Sequence, residues 1–217
     1  MKRLTFYLLA TLAVHSFAQT AQEYFASGIR KYSTKEHKAA IEDYDKAIAL
    51  EPNNGDFYYW RGLAKAYSGS NGSALRDYKK AIKKKSKYSD TAYYIMAHYE
   101  IYMLEHGYRG TGVLGHRHAI KNFNAAIKLN PKYATAYYEA GMAKASIQVE
   151  DYKGAIEYFT KVIELSPELA PNAYYRRGDC KNATKGMQLK GIDPGGACSD
   201  WKKAESLGCK FVKRPCN

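Results

Sequence analysis

The chain has 217 residues, 46% of them hydrophobic and 25% charged, with a formal net charge of +13. Nothing after the first eighteen residues is apolar enough to cross a bilayer, which excludes membrane-spanning helices from that point on. The positive excess reads as a solvated basic face or as attraction to an acidic partner or anionic surface. Nucleic acid is not an expected partner, because it would need basic residues interleaved with exposed aromatics in an open channel.

The chain begins Met1-Lys2-Arg3, continues through the largely apolar Leu4 to Val14, and reaches Ser16-Phe17-Ala18 before Gln19. A basic start, a short apolar stretch and small residues at the −3 and −1 positions predict a signal peptide over 1–18. No cysteine follows the cleavage point, so no lipid anchor is expected there. Removal of this segment takes Lys2 and Arg3 with it and leaves a soluble, exported chain, periplasmic or extracellular, with a charge of about +11.

Two signatures then alternate. Tyr24-Phe25-Ala26-Ser27-Gly28 returns as Tyr58-Tyr59-Trp60-Arg61-Gly62, Tyr93-Tyr94-Ile95-Met96-Ala97, Tyr137-Tyr138-Glu139-Ala140-Gly141 and Tyr174-Tyr175-Arg176-Arg177-Gly178. Each is followed by Ala-x-x-x-aromatic-x-x-(Ala/Val). The instances are Ala40, Tyr44 and Ala47; Ala74, Tyr78 and Ala81; Ala119, Phe123 and Ala126; Ala155, Phe159 and Val162; and Ala197, Trp201 and Ala204. Both patterns have helical spacing: Ala40, Ile41, Tyr44, Ala47 and Ile48 make one apolar stripe, with Glu42, Asp43, Asp45 and Lys46 opposite. Loop signals such as Ser68 to Ser73 separate the two, and Pro52, Pro131 and Pro167 stop the second helix. Each unit is thus a helical hairpin, helix A then helix B. A hairpin cannot bury its apolar face alone, so neighbours must supply each other's core.

These residues resemble the tetratricopeptide repeat, whose 34-residue unit has an aromatic and then a glycine in helix A, and Ala, an aromatic, Ala and Pro in helix B. The resemblance implies an all-α, right-handed α-solenoid over 19–208, with repeats at about 21–54, 55–88, 89–133, 134–169 and 170–208 and a tail over 209–217. Departures are Ser86 in place of proline, extra residues within His106 to His116, about two more in repeat four, and extra residues before Ala197. The implied function is a non-catalytic interaction scaffold without cofactor, holding a peptide segment or partner protein in the groove of the A helices. A structural subunit of a cell-envelope assembly, docking through the convex face or the 106–116 loop, is the alternative.

In the family's frame the first aromatic of each doublet is core. The second lies about 100° further round helix A and faces the groove. This nominates Phe25, Tyr59, Tyr94, Tyr138 and Tyr175 as contacts, with Arg176 and Arg177 offered to an acidic partner. One turn on stand Ile29, Leu63, His98, Met142 and Asp179. Inter-repeat packing is the plainer reading of the tyrosines. Other candidate chemistry is weaker. Gly110 to Gly115 spells G-x-G-x-x-G without a strand before it, so a loop is expected there. His98, His106, His116 and His118 match no metal spacing, and no metal site is expected.

All four cysteines, Cys180, Cys198, Cys209 and Cys216, fall near the end of the chain, and an even count in an exported protein favours disulfides. Three pairings are open. In the repeat frame Cys198 takes the slot of Ile41, Leu75, Ile120 and Ile156, which packs on a following helix A. With only the tail to follow, Cys198–Cys216 is favoured, with Phe211 and Val212 as cover, leaving Cys180–Cys209 as the second pair.

Overall fold

A computed structural model describes residues 19–107, 112–184 and 196–209. Residues 1–18, where a signal peptide is expected, 108–111, 185–195 and 210–217 lie outside these. Among the described residues the chain forms ten helices and no strand. They fall into two compact units that divide after Tyr88.

The first unit holds α1 (Ala21–Ser33), α2 (His37–Leu50), α3 (Gly55–Tyr67) and α4 (Asn71–Lys83). A capping box starts α1: the Glu23 amide donates to Thr20 Oγ1 at 3.2 Å and the Thr20 amide donates to the Glu23 carboxylate at 2.8 Å. Within each hairpin the helix-B signature is the core. Ala40, Tyr44 and Ala47 are fully buried in α2, as are Ala74, Tyr78 and Ala81 in α4. The small residue of helix A is there because the ring lies on it. A Cβ added to Gly28 would stand 2.5 Å from the Tyr44 ring. Phe57 of α3 packs 4.8 Å from Phe25 and joins Ala21 and Ala47, so the second hairpin completes the core of the first.

The second unit holds α5 (Ser89–Glu105), α6 (Gly112–Leu129), α7 (Ala134–Ala145), α8 (Tyr152–Leu165), α9 (Ala170–Ala183) and α10 (Gly196–Ser206). Consecutive helices pack through Ala97, Ala119, Phe123 and Ala140, and then through Ala155, Phe159, Val162 and Ala173. In the third hairpin Ala97 takes the small slot, and in the fifth Trp201 lies where a Cβ on Gly178 would meet its indole at 2.6 Å.

The insertion in the third hairpin differs from the expected loop. The extra residues lengthen both helices, α5 to 17 residues and α6 to 18, and α6 already begins at Gly112. Gly115 lies inside α6, where an added Cβ would run into the Leu104 side chain of α5. Close helix approach, not loop flexibility, accounts for this glycine.

Candidate functional site

In the first four doublets the second aromatic lies against the helix-B ring of its own hairpin. Ring centroids are 5.8 Å apart for Phe25 and Tyr44, 6.1 Å for Tyr59 and Tyr78, 5.8 Å for Tyr94 and Phe123, and 5.7 Å for Tyr138 and Phe159. Tyr59 also stacks on Tyr88 at 4.5 Å, and Tyr94 on Tyr133 at 5.1 Å. Tyr59 and Tyr175 retain only 6% and 8% of their exposure. Phe25, Tyr94 and Tyr138 are half-buried. Tyr59 and Tyr175 are thus buried packing residues, while Phe25, Tyr94 and Tyr138 keep part of their surface exposed. The first aromatics instead meet cations: Tyr24 lies under Lys46, Tyr58 under Arg61 and Lys80, and Tyr174 under Arg177.

Arg177 is likewise committed inside the fold. It forks onto Asp200 through Nε and Nη2 at 2.8 and 2.7 Å and donates from Nη1 to Thr160 at 3.0 Å. Lys181 reaches the same carboxylate at 2.9 Å. The device recurs in the first unit. Arg61 forks onto Asp77 at 2.8 and 2.6 Å, Lys65 joins at 2.8 Å, and Lys31 pairs with Asp43 at 2.7 Å. Burial by itself would raise the Asp43 pKa, but the bonds from Lys31 and Ser27 outweigh it and hold the carboxyl below its ordinary range. The signal is in the sequence: an aspartate directly before the helix-B aromatic and a lysine three residues after the small residue.

A cavity of about 570 Å³ opens in the second unit on the face made by α5, α7 and α9. Ile101, Met142, Ala143, Ala145 and the edge of Phe159 supply apolar surface, while Glu105, Glu139, Arg176, Asp179 and His116 supply polar groups. Of the nominated contacts, Arg176 lines this cavity. So do Met142 and Asp179, each one turn beyond the second tyrosine of its doublet. The side chains at Glu139, Ala143 and Ala145 escaped the repeat reading because Glu139 fills a variable position of the first signature and the two alanines lie beyond it.

Two ionisable groups in the cavity are displaced from their ordinary behaviour. Glu139 is raised, by burial first and by Glu105, with His98 opposing. The Cys180 thiol is pushed up to about 12 by burial, with Asp179 adding and Arg176 opposing. Such a thiol is protonated at neutral pH and is a poor nucleophile.

The other candidates separate. His98 packs edge-on against Tyr94 at 4.6 Å, and His106 lies on Tyr102 with its Nδ1 2.9 Å from the Tyr102 carbonyl. His118 is exposed. Among the described residues no three His, Cys, Asp or Glu side chains stand close enough to hold a metal ion. Cys180, Cys198 and Cys209 are not bonded to one another. The Cys180–Cys209 pair does not form because Cys209 lies 3.6 Å from Asn172, eight residues back along α9 from Cys180. That is about 12 Å of helix, beyond disulfide reach. Cys216, and with it the Cys198–Cys216 pairing, lies outside the described residues.

Family models for the tetratricopeptide repeat match residues 28–69 and 134–169. The chain contains tetratricopeptide repeats. Repeats of this family build interaction scaffolds, and solved structures of the family share the fold over most of the chain. MamA is 25% identical over 92% of this chain and 100% of its own, with a TM-score of 0.67. YrrB, described as a tetratricopeptide-repeat protein with an unusual peptide-binding site, is 20% identical over 92% of each chain, with a TM-score of 0.65. The C-terminal part of a tetratricopeptide-repeat protein from Cytophaga hutchinsonii is 16% identical over 93% of this chain and 73% of its own, with a TM-score of 0.66. No curated protein sequence matches. Among the described residues, no helix of this repeat protein is long and apolar enough to cross a membrane.

Proposed function

We propose that this protein is an exported, non-catalytic scaffold that holds a peptide segment of a partner protein in the cavity between α5, α7 and α9. The cavity carries the reading. Its volume of about 570 Å³ falls within the range of pre-formed ligand sites, and an apolar floor with a few placed polar groups is how such sites bind and orient. The groups on its wall suit recognition rather than chemistry, since the thiol it contains is held protonated. The likeness to YrrB, whose structure is described by a peptide-binding site, agrees in kind. Export rests on the basic start, the apolar Leu4 to Val14 and the Ser16-Phe17-Ala18 end of residues 1–18.

With Arg177 bonded to Asp200, the expectation of an acidic partner rests on Arg176 alone. Replacing Tyr59 would damage packing rather than test the site, so the informative change is Ala145→Trp, which fills the cavity. The variant should keep its helical circular dichroism and lose capture of the partner from the native exporting cell. Retained capture rules the cavity out. Sequencing the N-terminus of the mature protein should begin at Gln19.

A second reading, docking through the junction of α5 and α6, is favoured by the exposure of Tyr102, Val113 and Leu114 there. Capture that survives Ala145→Trp but is lost in Val113→Asp with Leu114→Asp would select it.

A further inference from the structure

The cavity wall is acidic in a chain whose net charge is +13. Glu105 comes from the end of α5, Glu139 from α7 and Asp179 from α9. Arg176 is the guanidinium on the wall; it stands 3.9 Å from Asp179 and lies over the Tyr175 ring at 5.6 Å. That pair is balanced, which leaves Glu105 and Glu139 in excess. Among the described residues neither has an ion-pair partner. The nearby cations are engaged elsewhere: Lys144 with Asp151 at 2.5 Å, and Arg177 and Lys181 with Asp200 at 2.7 and 2.9 Å.

Resting on the peptide-site reading above, we propose that this cavity selects a segment carrying a lysine or arginine side chain beside an aliphatic one. The charge complementarity is local and specific. Two carboxylates on one wall repel each other; burial is what raises the pKa of Glu139, with His98 opposing and Glu105 adding the smallest contribution. A ligand cation relieves that repulsion. The carboxylates are spread around the cavity, with no three ligating groups converging among the described residues, so the arrangement suits an organic cation rather than a metal ion. A lysine or arginine also has the right shape: its methylene stem can lie along Met142, Ala143 and Ala145 while the charged head reaches the carboxylates. The neighbouring aliphatic residue takes the Ile101 and Phe159 side of the floor.

The test is selection on the full mature chain from a randomised display library of short linear peptides. The enriched sequence is then synthesised with its cation intact or replaced by norleucine, which keeps the stem and removes the charge. The expected result is a fixed Lys or Arg next to Leu, Ile or Met. Replacement by norleucine should weaken binding by about tenfold, as for a partly exposed charge-assisted hydrogen bond. Glu139→Gln and the more exposed Glu105→Gln should each weaken the lysine peptide by a similar factor and leave the norleucine peptide unaffected. Enriched peptides without a cation, or equal binding of the norleucine version, overturn the charge selection while the cavity remains a peptide site. Peptides that bind Ala145→Trp as well as wild type, or a selection that enriches nothing, overturn the peptide-site reading itself.

Discussion

The two units fill equivalent positions of the repeat in opposite ways. In the first, the residue two before the small glycine is Trp60, and the residue five after it is Tyr67. Trp60 lies edge-on to Tyr32 at 5.6 Å and to Tyr88 at 6.0 Å, and Tyr67 meets Tyr32 at 5.8 Å and stacks on His37 at 5.4 Å. Rings pack on rings, and burial together with Tyr67 pushes the Tyr32 hydroxyl up to about 12. In the last two hairpins of the second unit the same positions hold Glu139 and Arg176, then Ser146 and Ala183, and the face encloses a cavity of about 570 Å³. The shared signature builds the hairpin. The residues outside the signature decide whether its face is closed by aromatics or left open to a ligand.

That contrast predicts what the units share and where they part. The largest effects should be common to both, because the buried aspartate belongs to the hairpin. Asp77→Ala strands Lys65 and leaves Arg61 with Asp45 alone, and Asp200→Ala strands Lys181 and leaves Arg177 with the Thr160 hydroxyl. Each should cost about 3–5 kcal/mol in urea unfolding, as when one partner of a buried ion pair is removed. A near-neutral outcome in one unit would mean that its aspartate is not a shared device.

Smaller and unequal effects are expected at the small residue. Gly28→Ala places a Cβ 2.5 Å from the Tyr44 ring, against 3.0 Å from the Phe159 ring for Gly141→Ala. The first should destabilise by about 1–3 kcal/mol through overpacking. The second should be close to neutral, since alanine gains about 1 kcal/mol of helix propensity over glycine. Thermal melts of both variants check the order, and a costlier Gly141→Ala would reverse it.

The smallest effect is on pH dependence, and its sign differs between units. The Asp43 carboxyl is held low by Lys31 and Ser27 against burial, so its stabilisation is in place above the ordinary aspartate pKa and is lost as pH falls through the lowered value. Glu139 is raised, by burial and Glu105 against His98, so the fold binds its proton more tightly than the unfolded chain does. Stability should fall as pH rises through the window just above the ordinary glutamate value. Asp43→Asn should flatten the acid limb and Glu139→Gln the second, in unfolding free energies measured across pH.

Much of the fold was legible because the signatures repeat. Tyr44, Tyr78, Phe123 and Phe159 stand in the buried centres of the first four hairpins, as the apolar stripe requires. The helical start of α6 was not legible, since Gly112 and Gly115 read as loop residues until Leu104 is known to press against the backbone. For the site, the frame pointed to Arg176, Met142 and Asp179. It did not show that Tyr59 and Tyr175 are buried, because rotation by one residue gives a direction on the helix but not the neighbour that fills it. Arg177 was offered to a partner because Asp200 lies beyond the extra residues before Ala197, where the register was least defined. The cavity itself depends on what is missing at Ala143 and Ala145, across three helices at once, and no single segment carries that signal.

The central claim is that a partner enters between α5, α7 and α9. Incorporating a photo-reactive benzoylphenylalanine at position 142 and irradiating the native cells tests it directly. A single intermolecular adduct from position 142, absent when Ala145 is also replaced by Trp, is the predicted result. Adducts that form only from the exposed Lys161 on α8, or that persist after Ala145→Trp, would contradict it.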